Sequence, residues 1–236
     1  MNPFASLRTR HCADEQMDAV DLPADRYARV LADLARVNWA TLATRPSLAF
    51  LDRLFRGSAV ATPLRILDVG FGQGDMLRAI TRWAERRDVE VQLTGIDLNP
   101  NSAIAARAAT ADSSDIDWLT GDYRGLAGQG WDVVISSLVA HHMSDAQRIE
   151  FLRFMEDEAQ RGWLVNDLHR HRVAFAGYPL LATVMRVDPI VRADGQLSIA
   201  RSFRSADWRT MLAEAGIHTA TVRRTFPFRL VVERLR

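Results

Sequence analysis

Cysteine is nearly absent: Cys12 is the only one in a chain of 236 residues. No disulfide can close within the chain, and no thiolate cage for a metal is available. Long apolar runs are missing as well. Nothing approaches the roughly 20 apolar residues of a membrane-spanning helix, and residues 1–18 carry no apolar core of signal-peptide type. Arg8 and Arg10 give only a faint transit-peptide flavour, so the cytoplasm is the expected location. A bias of charge is lacking too. The formal net charge is +1, the arginines are scattered, and there is neither a basic stripe nor an N/D-P-P-Y/F block. Nucleic acid is therefore not an expected partner. What remains is ordinary globular composition, 48% hydrophobic and 25% charged, enough for one α/β domain with an extension.

The most informative stretch is residues 65–75, R-I-L-D-V-G-F-G-Q-G-D. An apolar run ends in Asp68, a loop carries Gly70, Phe71, Gly72 and Gly74, and an amphipathic segment follows. The pattern predicts buried strand, glycine turn and helix, the entry to a nucleotide-type pocket. No Lys-Ser/Thr follows the glycines, which excludes a P-loop. Asp75 stands where a dinucleotide fingerprint would place its last glycine. Asp68 decides more. A carboxylate beside a pyrophosphate repels it, because such loops work by presenting N–H groups and a positive helix end to anions. A ligand with a cationic amino-acid end and no phosphate suits that carboxylate, and S-adenosylmethionine is such a ligand.

Along the chain, residues 1 to about 20 read as a mobile lead-in. Pro23 opens a helix with Tyr27, Val30, Leu31, Leu34 and Val37 on one face, closed by Asn38 and Trp39. Pro46 starts a second, with Leu48, Leu51, Leu54 and Phe55 inward and Gly57 as its stop. The pair reads as a cap over the pocket or as cover for a sheet edge. Strands are then expected at residues 91–96, 116–120, 131–136 and 162–168, with helices at 101–110 and 145–160 between them. That rhythm argues for a parallel sheet with helices on both faces, and the fully apolar 131–136 strand belongs near its centre. Past Asp167 the rhythm changes. Residues 173–187 are apolar but interrupted by Gly177 and Pro179. Residues 189–204 are polar, with a turn signal at Asp194-Gly195. A helix over 205–215 has Ser205 as its cap and Gly216 as its stop, and residues 219–236 read as an antiparallel hairpin around Pro227.

Ligands of open α/β sheets lie beyond the carboxyl ends of the strands. Asp68 and the glycines, Asp97 with Leu98, Asp122 with Tyr123, the 136–142 stretch and Asp167 are therefore the candidates. Asp97, 25 residues after Gly72, is placed to accept both ribose hydroxyls. Asp122 is placed for an adenine amino group, with Tyr123 beside the ring.

L-D-V-G-F-G-Q-G, G-I-D-L-N-P, G-D-Y and W-D-V-V-I-S-S-L-V-A-H-H-M, in this order and at these intervals, resemble the class I S-adenosylmethionine-dependent methyltransferases over about residues 60–236. The resemblance implies a Rossmann-like seven-stranded, mostly parallel sheet with its last strand reversed, behind an N-terminal helical cap. It implies that Asp68, Gly70, Phe71, Gly72 and Gly74 line the methionine end of the donor and Asp97 with Leu98 its ribose. Asp122 and Tyr123 would meet the adenine, and Ser137 and Leu138 would run along the cofactor. It divides the chain into an extension with cap helices (1–58) and a methyltransferase domain (59–236), the latter with a helical acceptor-side insertion at about 172–204. The E-x-M-D segment, the S-L-V-A-H-H block, V-N-D-L-H-R and the closing F-P-F-R-L look like bacterial methyltransferases of phenolic-lipid and type III polyketide pathways, in secondary metabolism.

The sulfonium already activates the methyl group, so the protein has chiefly to align donor and acceptor. A phenol, with a pKa near 10, still gains from a base. His141 and His142 follow the fourth strand, next to the expected methyl group, and His141 is the preferred base. Asp167 is placed to orient a histidine or to hold substrate. His169 and His171 lie nearby, but with no H-E-x-x-H or comparable spacing no metal is expected. Phe175, Tyr178, Leu180, Leu181, Val184 and Met185 are the expected wall for an aromatic or acyl-bearing acceptor. The expected reaction is methyl transfer to a hydroxyl of a small apolar acceptor, with C-methylation of an activated ring next. A nicotinamide oxidoreductase is disfavoured by Asp68, Asp75 and the missing Tyr-x-x-x-Lys pair, and a non-catalytic cofactor-binding protein is the remaining competitor. The oligomeric state, monomer or homodimer, is open.

Overall fold

The computed structural model describes residues 7–19, 21–56, 63–111 and 114–236. Seven strands form one sheet: β1 (Leu64–Val69), β2 (Val91–Asp97), β3 (Ile116–Thr120), β4 (Trp131–Ser137), β5 (Ala159–Leu168), β6 (Thr221–Thr225) and β7 (Arg229–Leu235). Their order is β3-β2-β1-β4-β5-β7-β6. The first five pair in parallel, and β7 runs antiparallel to both β5 and β6. This is the Rossmann-like methyltransferase arrangement, with β4 in the centre as its apolar sequence requires.

Alternation along the strands supplies two cores, because successive side chains point to opposite faces. Ile66, Val133 and Ile135 face α2 (Arg45–Arg56), α3 (Asp75–Glu85) and α4 (Pro100–Ala108). Leu67, Val134 and Val165 face α5 (Asp145–Glu158) and α8 (Ser205–Ala215), where Trp163 and Trp208 are fully buried. Strand order reverses direction between β1 and β4, and ligands of open α/β sheets bind beyond that point. Ser136 Oγ donates to Val69 O at 2.8 Å and pins the two strands together there.

The two N-terminal helices have different tasks. Helix α1 (Ala24–Ala40) crosses the carboxyl ends of the strands. Val30 and Val37 pack on α7 (Pro189–Arg201), while Tyr27 Oη lies 2.9 Å from Ser102 Oγ on α4. Helix α2 lies instead on a face of the sheet, with Phe50, Leu51 and Leu54 in the core. Its Gly57 stop lies outside the described residues. Pro23 is the cap of α1 and not its first residue.

Three local readings need correction. Gly177 and Pro179 do not interrupt residues 172–185, which form one helix, α6 (Arg172–Met185). Proline leaves the carbonyl four residues earlier without its helical donor, and here Gln196 Nε2 donates to that carbonyl, Phe175 O, at 3.0 Å. Asp194-Gly195 is no turn either but the middle of α7. A Cβ at Gly195 would overlap the Tyr178 ring, so this glycine serves close packing of α6 on α7. Ser205 is the first residue of α8, whose entry is closed by Arg204 N donating to Asp207 Oδ2 at 2.7 Å.

The lead-in is not mobile where it is described. Asp194 accepts from the N–H groups of Gln16 (3.0 Å) and Met17 (2.9 Å). Ser198 Oγ donates to Glu15 Oε1 at 2.8 Å, Arg201 Nη1 to Ala13 O at 2.8 Å, and Arg204 Nη2 to Leu7 O at 2.8 Å. Residues 7–18 thus form a strap held by groups that stand some 180 positions later in the chain. No helix among the described residues is long and apolar enough to cross a membrane.

Candidate active site

A cavity of about 920 Å³ opens at the carboxyl ends of the strands, near the upper end of the usual range for ligand sites, about 300–1,000 Å³. Gly70, Phe71, Gly72, Asp97, Leu98, Asp122, Tyr123, Ser137, Leu138, His141 and His142 all line it. Asp68, Gly74 and Asp167 stand just behind that lining.

The glycine loop is fixed by its backbone. Gly70 and Gly74 both have φ of +78°, in the left-handed region. A Cβ on Gly70 would overlap Val139, and one on Gly74 would overlap Trp118. Gly72 N donates to Asp97 Oδ2 at 3.0 Å, and Asn99 N donates to Asp97 Oδ1 at 2.9 Å. Each carboxylate oxygen keeps lone-pair capacity for a hydroxyl donor.

Asp68 is buried, and its Oδ1 has no hydrogen-bond partner among the described residues. Burial pushes its carboxyl well above the usual range, and the charges of Asp75 and Asp97 push it further. Asp75 and Asp97 are also raised, each mainly by burial. Three crowded carboxylates with one orphaned oxygen are what a cationic ligand relieves and an anionic one aggravates. The ammonium and sulfonium of S-adenosylmethionine fit this environment, whereas a pyrophosphate does not.

Asp122 is half engaged already. Arg124 donates to it from its backbone N (2.9 Å), Nε (3.0 Å) and Nη2 (2.5 Å). Tyr123 packs edge-on against Phe151 and Phe154 of α5, at centroid distances of 5.0 and 4.8 Å. Ser137 Oγ accepts from Asn166 Nδ2 at 3.2 Å, and Leu138 N donates to Asn166 O at 2.9 Å.

On the other side of the cavity, His141 is buried and doubly tied to Asp167. The Nδ1 to Oδ1 distance is 2.7 Å, and the backbone N of His141 donates to Oδ2 at 3.1 Å. Burial alone would raise the Asp167 carboxyl, but the charge and hydrogen bond of His141 hold it below its ordinary value. His142 Nδ1 lies 2.9 Å from Asp18 Oδ2. With both Nδ1 atoms engaged, both Nε2 atoms face Glu15, at 3.7 Å from His141 and 3.8 Å from His142. Burial raises the Glu15 carboxyl to about 7, against the opposing influence of His142.

Sequence reasoning did not find Glu15 or Asp18. The E-x-M-D segment was the available signal, but nothing local shows that the strap reaches the histidines. It also missed Arg229, which is fully buried at the cavity wall. Its Nη2 donates to Thr41 Oγ1 at 3.1 Å, while Nε and Nη1 have no partner among the described residues. Burial lowers this guanidinium to about 10. His169 and His171 lie elsewhere: the His169 backbone bridges Phe203 while its ring packs on that of His171 at 5.4 Å between centroids, and His171 caps α6, its Nδ1 accepting from Val173 N at 3.2 Å.

The acceptor wall is narrower than expected. Of the six residues named for it, Tyr178 and Leu181 line the cavity, joined by Val173, Ala174 and Gly177 at helical spacing. Leu180 and Val184 point outward, 69% and 72% exposed, and Met185 packs with the α1–α7 cluster.

Residues 66–159 match a protein family described as "Methyltransferase domain". This is an S-adenosylmethionine-dependent methyltransferase. No curated protein matches the sequence significantly. Among solved structures, the enzyme is similar to the plantazolicin methyltransferase BamL bound to a desmethyl analogue and SAH, with 13% identity over 84% of this chain and 71% of that one, at a TM-score of 0.62. Human N-acetylserotonin methyltransferase in complex with SAM has 14% identity over 96% of this chain and 60% of its own, at 0.63. The citrinin polyketide synthase CMeT domain has 14% identity over 81% of this chain and 52% of its own, at 0.60. The enzyme therefore spans only about half to three-fifths of the latter two. At such identities the likeness is one of fold.

Proposed function

We propose that the enzyme transfers the methyl group of S-adenosylmethionine to a hydroxyl of a small, apolar, phenolic or polyketide-derived acceptor. The observation that carries this reading is the Asp167–His141 pair, set across one cavity from the glycine loop and beside the apolar face of α6. The donor would lie with its ammonium toward Asp68, its carboxylate toward the unpaired nitrogens of Arg229 and its ribose on Asp97. Asp122 and Tyr123 would border its adenine, and Ser137 and Leu138 its length. The acceptor oxygen attacks the methyl carbon, the C–S bond breaks, and its electron pair stays on sulfur, giving S-adenosylhomocysteine. The hydroxyl proton is drawn off at the Nε2 edge of His141, whose ring Asp167 holds in the Nδ1–H tautomer; His142 flanks that edge.

We further propose the division into an extension with cap helices (1–58) and a methyltransferase domain (59–236) with an acceptor-side insertion at about 172–204. A cytoplasmic location accords with the exposed free thiol of Cys12.

The fold likeness to the citrinin polyketide synthase CMeT domain supports a second reading, methylation of an activated ring carbon in the same cavity. A panel of alkylresorcinols, phenols and quinols incubated with methyl-labelled donor decides between them. Label on oxygen by NMR supports the first reading and label on a ring carbon the second. Label that appears only with amine or nucleic-acid acceptors sinks both.

A further inference from the structure

The convergence of Glu15, His141 and His142 is more than a base with a neighbour. A carboxylate oxygen of Glu15 and one ring nitrogen of each histidine lie within 4.8 Å of one another, and the group faces the cavity shared with the donor loop. We propose that these three residues bind a divalent transition-metal ion of the zinc type, which holds and acidifies the acceptor's hydroxyl.

Three features argue for an ion there. The first is the set and spacing of donor atoms. Two imidazoles and one carboxylate are a recognised zinc set that leaves a coordination position open. An ion held about 2.0–2.2 Å from each ligand sits between atoms roughly 3–4 Å apart; His141 Nε2 lies 3.7 Å from Glu15 Oε1 and His142 Nε2 3.8 Å from Glu15 Oε2. Those distances are too long for hydrogen bonds, and the one direct contact within the trio is between the two rings, whose centroids lie 4.3 Å apart.

The second is what stands behind the rings. Metal-bound histidines characteristically give their other ring N–H to a carboxylate, which fixes the tautomer and leaves the far nitrogen's lone pair for the metal. Both rings have such a partner: Asp167 at 2.7 Å from His141 Nδ1 and Asp18 at 2.9 Å from His142 Nδ1.

The third is charge. Glu15, Asp18 and Asp167 surround the two rings, and the cation directly beside Glu15 is Arg201, with Nη1 at 3.9 Å. Arg10 and Arg148 stand behind and share Asp145. Arg10, Arg148 and Arg229 also act on Asp167, so the local point is Glu15, whose arginine partner stands 3.9 Å away, beyond hydrogen-bond reach.

The donor set also selects the ion, since imidazole nitrogens suit zinc and its neighbours and not magnesium or calcium. The proposal rests on the hydroxyl-acceptor reading and deepens it. The hydroxyl oxygen takes the open position, its proton passes to water, and the electron pair left on oxygen attacks the methyl carbon. His141 then acts on the hydroxyl through the ion, in place of taking its proton directly at Nε2. The N-terminal strap becomes part of the catalytic centre, because it supplies Glu15 and Asp18.

The test is calorimetric titration of Zn2+ into chelator-stripped protein, without donor or acceptor, beside a separate titration of S-adenosylhomocysteine. One ion per chain is expected, with proton release. Affinity should fall at least tenfold in Glu15→Gln and in His142→Ala, and about tenfold or more in Asp18→Asn, where only a supporting carboxylate changes. Unchanged S-adenosylhomocysteine binding shows that each variant is folded. Co2+ in place of Zn2+ should give visible bands of nitrogen–oxygen coordination that Glu15→Gln abolishes. Absence of binding in the parent protein, or equal affinity in Glu15→Gln, overturns the proposal. Because no turnover is measured, its failure is distinct from failure of the hydroxyl-acceptor reading, which shows as loss of labelled ether product.

Discussion

Asp167 grips His141 at two points, its Oδ1 2.7 Å from the ring Nδ1 and its Oδ2 3.1 Å from the backbone N. One carboxylate therefore fixes both the turn that carries the histidine and the tautomer of its ring. Asp167→Asn keeps the shape but can present an N–H to Nδ1, which favours the wrong tautomer. The expected result is a fall in kcat of roughly 10²- to 10⁴-fold, by analogy with orienting carboxylates in other His-dependent sites. Titration with S-adenosylhomocysteine should give an unchanged Kd. An equal loss of donor affinity would mean that Asp167 is merely structural.

Asp68 is expected to work against stability in favour of binding. A buried carboxylate with an oxygen that nothing satisfies costs free energy. Asp68→Asn removes the charge, so the ligand-free protein should melt at the same temperature or higher. The donor's ammonium loses its counter-charge, so affinity for S-adenosylmethionine should drop about tenfold or more, in line with roughly 1.5–3 kcal/mol for a charged hydrogen bond. Paired melting curves with and without donor measure both effects at once, and NAD should shift neither protein. A variant both less stable and equally tight would contradict the assignment.

Gly74 is constrained twice, by its left-handed backbone and by the Trp118 ring occupying the space of a Cβ. Gly74→Ala must strain the loop and displace a tryptophan that belongs to the core beneath it. A loss of about 1–3 kcal/mol is expected from the backbone alone, with weaker donor binding in addition. Gly177→Ala, on the cavity side of α6 where a Cβ meets nothing within 4 Å, is the control and should be neutral or slightly stabilising, since alanine is the better helix former. Denaturant midpoints of the two variants decide this.

Much of the molecule is legible in the sequence, for reasons particular residues make plain. The run before Gly70 and residues 131–136 read as strands because their apolar runs end at glycine or serine turns, and Asp68 and Asp97 announce themselves by closing such runs. These signals are local. Apart from the caps at Pro23 and Ser205, each off by one residue, the failures are long-range. Pro179 sits inside a helix only because Gln196, from another helix, satisfies the carbonyl it frees. Asp194-Gly195 is a turn by local chemistry, yet Tyr178 and the strap's N–H groups claim both residues. Glu15 looks like one acid in a polar lead-in until Ser198 and the two histidines are brought to it. Acceptor-side residues suffer most, because their identity depends on which face of α6 the rest of the chain covers.

His169 gives a test of stability that leaves the catalytic groups untouched. It is 9% exposed, its backbone N donates to Phe228 O at 2.8 Å, and burial lowers its imidazole to about 4, helped by Arg224, His171, Arg204 and Arg170. The unfolded chain titrates this residue near 6.5. Between those values the unfolded state binds the extra proton and the folded state does not, so stability rises with pH across the window and falls as pH drops from about 6.5 to about 4. The expected contribution of this residue is about 1–3 kcal/mol, since a tenfold change in proton affinity corresponds to about 1.4 kcal/mol. His169→Gln, which carries no titrating group, should flatten that part of the profile. Denaturant unfolding of both proteins at intervals from pH 4 to 7 measures the difference in slope. Parallel profiles would show that His169 stays neutral for free, with no burial penalty to relieve.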